Sequence, residues 1–181
     1  MTHGATMHQP PKLSWWDVVY ALNMAIACGI SYWLTTYALS PVVGRDDDLL
    51  GGMWAAAATI FAFRFSREES SSAGIARLIA TGVSFVLCLA YLWFFPFTVV
   101  GLAALIGIGT LIMMLAGRRE DIVTTGITTT VVMVVAALNP ADAWQEPLLR
   151  VADTVVGVSI GVGFKWAASL LYFRMVGQPV R

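Results

Sequence analysis

In the stretch LLRVADTVVGVSIGVGFKW (148–166), three charges interrupt what otherwise reads as an apolar helix: Arg150, Asp153 and Lys165. Arg150, Asp153 and Thr154 stand at i, i+3 and i+4, so they share one side of a helix turn. Two chemistries fit that spacing. In the first, Arg150 and Asp153 pair at an interfacial helix start; the acid favours the helix N-terminus and the arginine snorkels. In the second, they form the mouth of a pathway, where the guanidinium attracts an anion and the carboxylate holds the guanidinium or carries a proton. Lys165 lies about 18 Å of helix beyond Asp153. It either snorkels to headgroups or, turned inward, attracts an anion. Gly157 and Gly161 are a small-xxx-small pair, and helix packing is their expected role.

Further along the chain, Thr124, Thr125, Thr128, Thr129 and Thr130 crowd one apolar segment. Thr125 and Thr129 are one turn apart. Their hydroxyls either bond backbone carbonyls one turn back or line a polar groove. Trp54, in GGMWAAAA, is either an interfacial tryptophan or part of a route through the protein. Arg64, Arg67, Glu68 and Glu69 read as a solvated face. Cys28 and Cys88 lie singly in apolar segments and read as small core or lipid-facing residues. His3 and His8 fall in a polar start and suggest no ligand role. No metal site, cofactor or catalytic group is expected. Zincin and serine-triad patterns are missing, and so is the Gly-rich loop with Lys and Ser or Thr that binds nucleotide phosphates.

The elements that must position these residues follow from composition. Hydrophobic residues make up 58% of the 181 and charged residues 12%, about half the usual charged share. So small a globule would leave large apolar patches in water, and a bilayer is the simpler solvent. Zero formal net charge and the lack of a basic patch argue against a nucleic-acid partner. The fold class expected is all-α: a polytopic membrane protein of six transmembrane helices, at about 15–39, 49–65, 75–94, 96–116, 121–138 and 147–173. Together these make one domain, 15–175. It is flanked by an N-terminal tail (1–14), read as having no cleaved signal, and a C-terminal tail (176–181). SPVVGRDDD, SREESSSAG, GRRE and NPADAWQE read as connecting loops, with Pro96 opening the fourth helix straight after the third.

Orientation follows from the bias of Lys and Arg. With both termini cytoplasmic, Lys12, Arg64, Arg67, Arg77, Arg118, Arg119, Arg174 and Arg181 fall inside, against Arg45 and Arg150 outside. The third and sixth helices open alike. ARLIATG places Arg77 before Thr81 and Gly82, and LRVADTVVG places Arg150 before Thr154 and Gly157. Each motif closes a group of three helices, so a second copy would be inverted, giving a 3+3 inverted repeat.

These residues also resemble the membrane module of fusaric acid resistance and aromatic acid exporter proteins, from the second helix to the end of the sixth. Trp54 and Ala55 match its Trp-Ala pair. Arg77 and Thr81 match an Arg-x-x-Gly-Thr element loosely, Ala80 standing where Gly is preferred. Arg150, Asp153, Thr154 and Gly157 complete its Arg-x-x-Asp-Thr-x-x-Gly signature, preceded by Trp144. The resemblance implies a transporter or channel-like protein of the bacterial inner membrane for small organic anions, aromatic carboxylic acid efflux among them. On this reading Arg150 and Lys165 attract the carboxylate, with Asp153, Thr154, Thr125, Thr129, Trp54 and Arg77 along the substrate pathway. Many such proteins join two modules and add a large cytoplasmic domain. A single module implies homo-oligomers, a dimer first, in the lipid bilayer. The alternative is a non-transporting structural or assembly protein whose polar groups only lock helices together. An enzyme ranks below both.

Overall fold

A computed structural model describes residues 14–39, 49–138, 140 and 143–176, with side chains to residue 170. Most of the tails expected over 1–14 and 176–181, including His3 and His8, lies outside the described residues, as do Arg45 and the acids at 46–48. Six α-helices run in chain order: α1 (Trp15–Trp33), continued by a π-helical stretch (Leu34–Leu39); α2 (Leu49–Ala62); α3 (Arg67–Phe94); α4 (Val99–Leu115); α5 (Ile122–Leu138), led in by a 3₁₀ turn (Arg119–Asp121); and α6 (Gln145–Val176). Four of these stretches are long and apolar enough to cross a membrane: Trp15–Leu39, Arg67–Phe94, Arg119–Leu138 and Gln145–Leu170. Leu49–Ala62 and Val99–Leu115 are apolar but shorter.

Several boundaries differ from the sequence reading, α2 ending at Ala62 rather than 65 among them, and two have clear local reasons. SREESSSAG is not a loop. Ser66 caps α3, accepting from the Glu69 amide at 3.1 Å, while Glu69 accepts from the Ser66 amide at 3.4 Å. This reciprocal pair starts α3 at Arg67 rather than near residue 75. Pro96 does not open α4. Thr98 does, accepting from the Gly101 amide at 3.0 Å and pairing with the Tyr91 hydroxyl at 2.8 Å. A Cβ on Gly101 would strike that Tyr91 phenol. The GRRE turn is real. Gly117 adopts φ 73°, and the amides of Gly117 and Arg118 return to the carbonyls of Met114 and Met113, a Schellman ending that needs the left-handed glycine.

Packing runs opposite to that of a water-soluble core. Ala27, Ala55, Ala58, Ala62 and Ala80 are fully buried, and Ser31, Thr59, Ser84 and Thr128 with them. Val100, Leu115, Leu138, Phe94 and Trp93 face outward. Small residues inside and large apolar ones outside suit helices that meet each other in lipid. Helices α3 and α6 pack together at the centre. Helix α2 lies on α6 and α5 on α3, with α1 outside α2 and α4 outside α5.

The α2–α6 contact is the tightest seam. A Cβ on Gly157 would collide with the Ala55 carbonyl oxygen and Ala58 Cβ, and one on Gly161 would stand 3.0 Å from the Thr59 carbonyl oxygen. Both glycines are packing residues, as their spacing suggests. Gly163 has open space beside it. Gly157→Ala is therefore expected to lower stability by about 1–3 kcal/mol, the range for overpacking. Gly163→Ala should leave it unchanged or raise it by up to about 1 kcal/mol. Unfolding titrations in mixed micelles would separate the two variants.

Candidate functional site

The polar residues of the seam form a continuous chain across three helices. On α2, Trp54 is buried and its indole N–H donates to Thr154 Oγ1 on α6 at 3.0 Å. The Thr154 hydroxyl donates to the Arg150 carbonyl one turn back, at 2.7 Å. Thr59, five residues after Trp54, sets its hydroxyl 3.0 Å from the Ala55 carbonyl and 2.9 Å from the Gly157 carbonyl. One hydroxyl hydrogen thus serves two acceptors on different helices. From α3, Arg77 lays its guanidinium 5.2 Å from the Trp54 ring centre and 4.5 Å from that of Phe61. The rings are seven residues apart on one face of α2, and both lie within cation–π distance of the guanidinium.

Arg77 and Arg150, the arginines of ARLIATG and LRVADTVVG, meet different surroundings. Arg150 is 0% exposed. Its Nη1 lies 2.9 Å from Asp153 Oδ2 and its Nη2 3.6 Å from Glu146 Oε2, all on α6. These contacts are close but not aligned as hydrogen bonds, so charge rather than directed bonding holds them. Two carboxylates flank one guanidinium, and the excess negative charge sits in the first turns of α6, where the helix dipole favours it. The group is sealed within helix contacts. Arg77 is 3% exposed, and its Nε and Nη1 meet no hydrogen-bond acceptor among the described residues. Thr81 Oγ1, one turn further on α3, also lacks a partner among them. Among the described residues Arg77 is thus a buried cation compensated by aromatic rings, and it lines an open cleft of about 510 Å³.

The remaining expected pathway residues lie elsewhere. Thr125 and Thr129 belong to the α3–α5 seam. Thr129 donates to Ser84 Oγ at 3.1 Å, Ser84 donates to the Thr125 carbonyl at 3.0 Å, and Thr125 donates to the Asp121 carbonyl at 3.0 Å. The Thr129 hydroxyl and the Thr125 carbonyl therefore bond across the α3–α5 seam, while the Thr125 hydroxyl bonds one turn back. Lys165 is half-buried near the far end of α6, with Nζ 5.3 Å from the Tyr20 ring centre and 5.7 Å from that of Phe63. The start of α1, the end of α2, the start of α3 and the end of α6 meet here: Tyr20 donates to the Phe63 carbonyl, Trp166 donates to Ser71, and Arg67 covers the Trp166 ring. The structure thus gathers Trp54, Arg77, Thr154, Arg150 and Asp153, and leaves Lys165, Thr125 and Thr129 apart.

Sequence reasoning missed Glu146, Phe61, Thr59 and Ser84. Glu146 stands four residues before Arg150, and Phe61 seven after Trp54. Helical periodicity carries both signals.

A family model described as fusaric acid resistance protein-like matches residues 26–164, from the middle of α1 into the second half of α6. No curated protein and no solved structure matches the chain.

The sealed ion group generates a stability prediction. Arg150→Gln leaves Glu146 and Asp153 buried together without their cation and should cost about 3–5 kcal/mol, the range for breaking a buried pair. Asp153→Asn keeps one carboxylate on Arg150 and should cost clearly less. Denaturant midpoints of the two purified variants would show the order, and equal losses would mean that Arg150 is not the member on which the group depends.

Proposed function

The chain belongs to the fusaric acid resistance protein-like family, and from that premise we propose that it moves small organic anions, aromatic carboxylates foremost, across the bacterial inner membrane. Membership of the family supports a membrane transporter-like protein, and the apolar helices support residence in a membrane. The observation that carries the anion reading is Arg77, close to the Trp54 and Phe61 rings, whose Nε and Nη1 find no hydrogen-bond acceptor among the described residues. Burying a cation without an anion is costly. A protein that keeps one beside an open cleft has a use for a carboxylate that comes and goes. No covalent chemistry is required, so the protein is read as a non-enzyme.

All six helices cross the bilayer in this reading, with both termini and the α2–α3 and α4–α5 turns in the cytoplasm, as the Lys and Arg bias favours. The halves form a 3+3 inverted repeat. Support comes from the Arg77 and Arg150 motifs and from the reciprocal packing of α2 on α6 and α5 on α3. Copies associate as a homodimer in this reading. Arg77 recruits the carboxylate, Trp54 and Phe61 present ring faces, and the Arg150–Asp153–Glu146 group fixes α6. Asp153 is the candidate for proton coupling, and Lys165 adds positive potential at the cytoplasmic end.

A second reading, a non-transporting structural or assembly protein, draws on the sealing of Arg150 and the use of Thr125 and Thr129 in a helix seam. Uptake of 4-hydroxybenzoate into proteoliposomes, with and without a pH gradient, separates the two. Transport predicts protein-dependent flux that Arg77→Gln lowers about tenfold or more, a loss on the scale of electrostatic focusing, at matched reconstitution and matched size-exclusion profile. A well-folded protein that carries none of several organic anions would establish the structural reading instead.

A further inference from the structure

The cleft that Arg77 enters is more than a gap between helices. It opens at the α2–α3 end of the bundle, between the end of α2, the first turns of α3 and the α4–α5 turn. Three arginines reach it: Arg64 beyond α2, Arg77 on α3 and Arg118 in the turn. Three carboxylates do too: Glu69, Glu120 and Asp121. The charges are not equivalent. Asp121 is tied to Arg118 at 2.6 Å, and Glu69 accepts from the Ser66 amide at the cap of α3. Glu120 is exposed, where water screens it. Arg77, at the floor, is buried, and its Nε and Nη1 lack an acceptor among the described residues. The field at the bottom of the cleft is therefore positive although its rim is mixed. Phe61 supplies an aromatic face there, with the Arg77 guanidinium 4.5 Å from its ring centre, and Ala73 and Ala76 leave room above it.

We propose that this cleft is a binding site for a planar organic monoanion. Its carboxylate meets Arg77 at the floor, its ring lies against Phe61, and Arg64 at the rim draws it in. The proposal rests on the transport reading and deepens it by placing the cytoplasmic loading site at the α2–α3 end, away from the Arg150 group. A guanidinium compensated by aromatic rings still has N–H groups for a carboxylate, and its planar set of donors favours arginine over lysine at this position. The cleft has room for a small aromatic acid.

The test is equilibrium binding to the full chain in nanodiscs, with 4-hydroxybenzoate as the probe and 4-hydroxybenzyl alcohol as its uncharged match. It is paired with photolabelling by 4-azidobenzoate. The site predicts binding of the acid but not the alcohol, and label on 61–77 and 118–124 that excess benzoate removes. Arg77→Gln should weaken binding about tenfold or more, the loss of one charge-assisted contact. Arg64→Gln, at an exposed position that folding tolerates, should weaken it severalfold and keep the variant series readable if Arg77→Gln does not fold. Phe61→Leu should narrow the preference for aromatic over aliphatic acids. Competed label on 146–165 instead, equal affinity for acid and alcohol, or indifference to Arg64→Gln would overturn the site. Flux without binding here removes this site and leaves transport standing. Binding here without flux keeps the site and removes the transport reading.

Discussion

Helices α2 and α6 touch backbone to backbone, and most of the polar architecture depends on that closeness. Gly157 and Gly161 remove the side chains that would hold the helices apart, and Ala55, Ala58 and Ala62 do the same from the other side. Only at this separation does the Thr59 hydroxyl reach a carbonyl of its own helix and one of its neighbour. The same separation brings the Trp54 indole to Thr154. In lipid, apolar side chains gain little by leaving their solvent for one another, so close van der Waals contact and shared hydrogen bonds must supply the cohesion. The α3–α5 seam repeats the device with Ser84 and Thr129, using hydroxyls where the first seam uses glycine.

That frame explains how two arginines in matching motifs come to differ. Arg150 sits early in α6, one turn after Glu146 and one before Asp153, so its helix supplies its counter-charges locally. Arg77 sits eleven residues into α3, with Gly74 and Ala80 around it rather than acids. Its partners come from across the helix interface and are aromatic. The first arrangement is closed upon itself, and the second has N–H groups to offer. The pair therefore differs in its surroundings, one arginine closed among carboxylates and the other set against aromatic rings at a cleft, a difference that the motif alone does not record.

The helices, their order and the glycine seam were legible in the sequence, because hydropathy and small-xxx-small spacing are local signals. The start of α3 was not, because hydropathy falls at SREE, although the Ser66–Glu69 cap is written there. Pro96 drew attention from Thr98, whose pairing with Tyr91 needs the folded turn to be seen. The Arg150–Asp153 pair followed from i, i+3 spacing, but its seclusion did not, since that depends on what α2 and α3 lay over it. Thr125 and Thr129 fitted a groove and a seam equally well, and only the position of Ser84 decides. Arg64 and Arg118 read as ordinary charges flanking membrane helices. Their shared cleft with Arg77 joins parts of the chain separated by more than fifty residues, and no local pattern records it.

Helix α2 has a consequence for any bilayer that it crosses. Its described residues, Leu49–Ala62, span about 21 Å, against the ~30 Å hydrocarbon core of an average bilayer. On the reading proposed above, in which all six helices cross, acyl chains beside the outward residues Met53 and Ile60 would shorten to match that stretch, while those beside α3 would not. The annulus around one protomer would then be uneven in thickness, and copies that shared their thin sides would relieve the elastic strain. Association by that route would ask for no complementary surface and would follow membrane thickness as much as the protein.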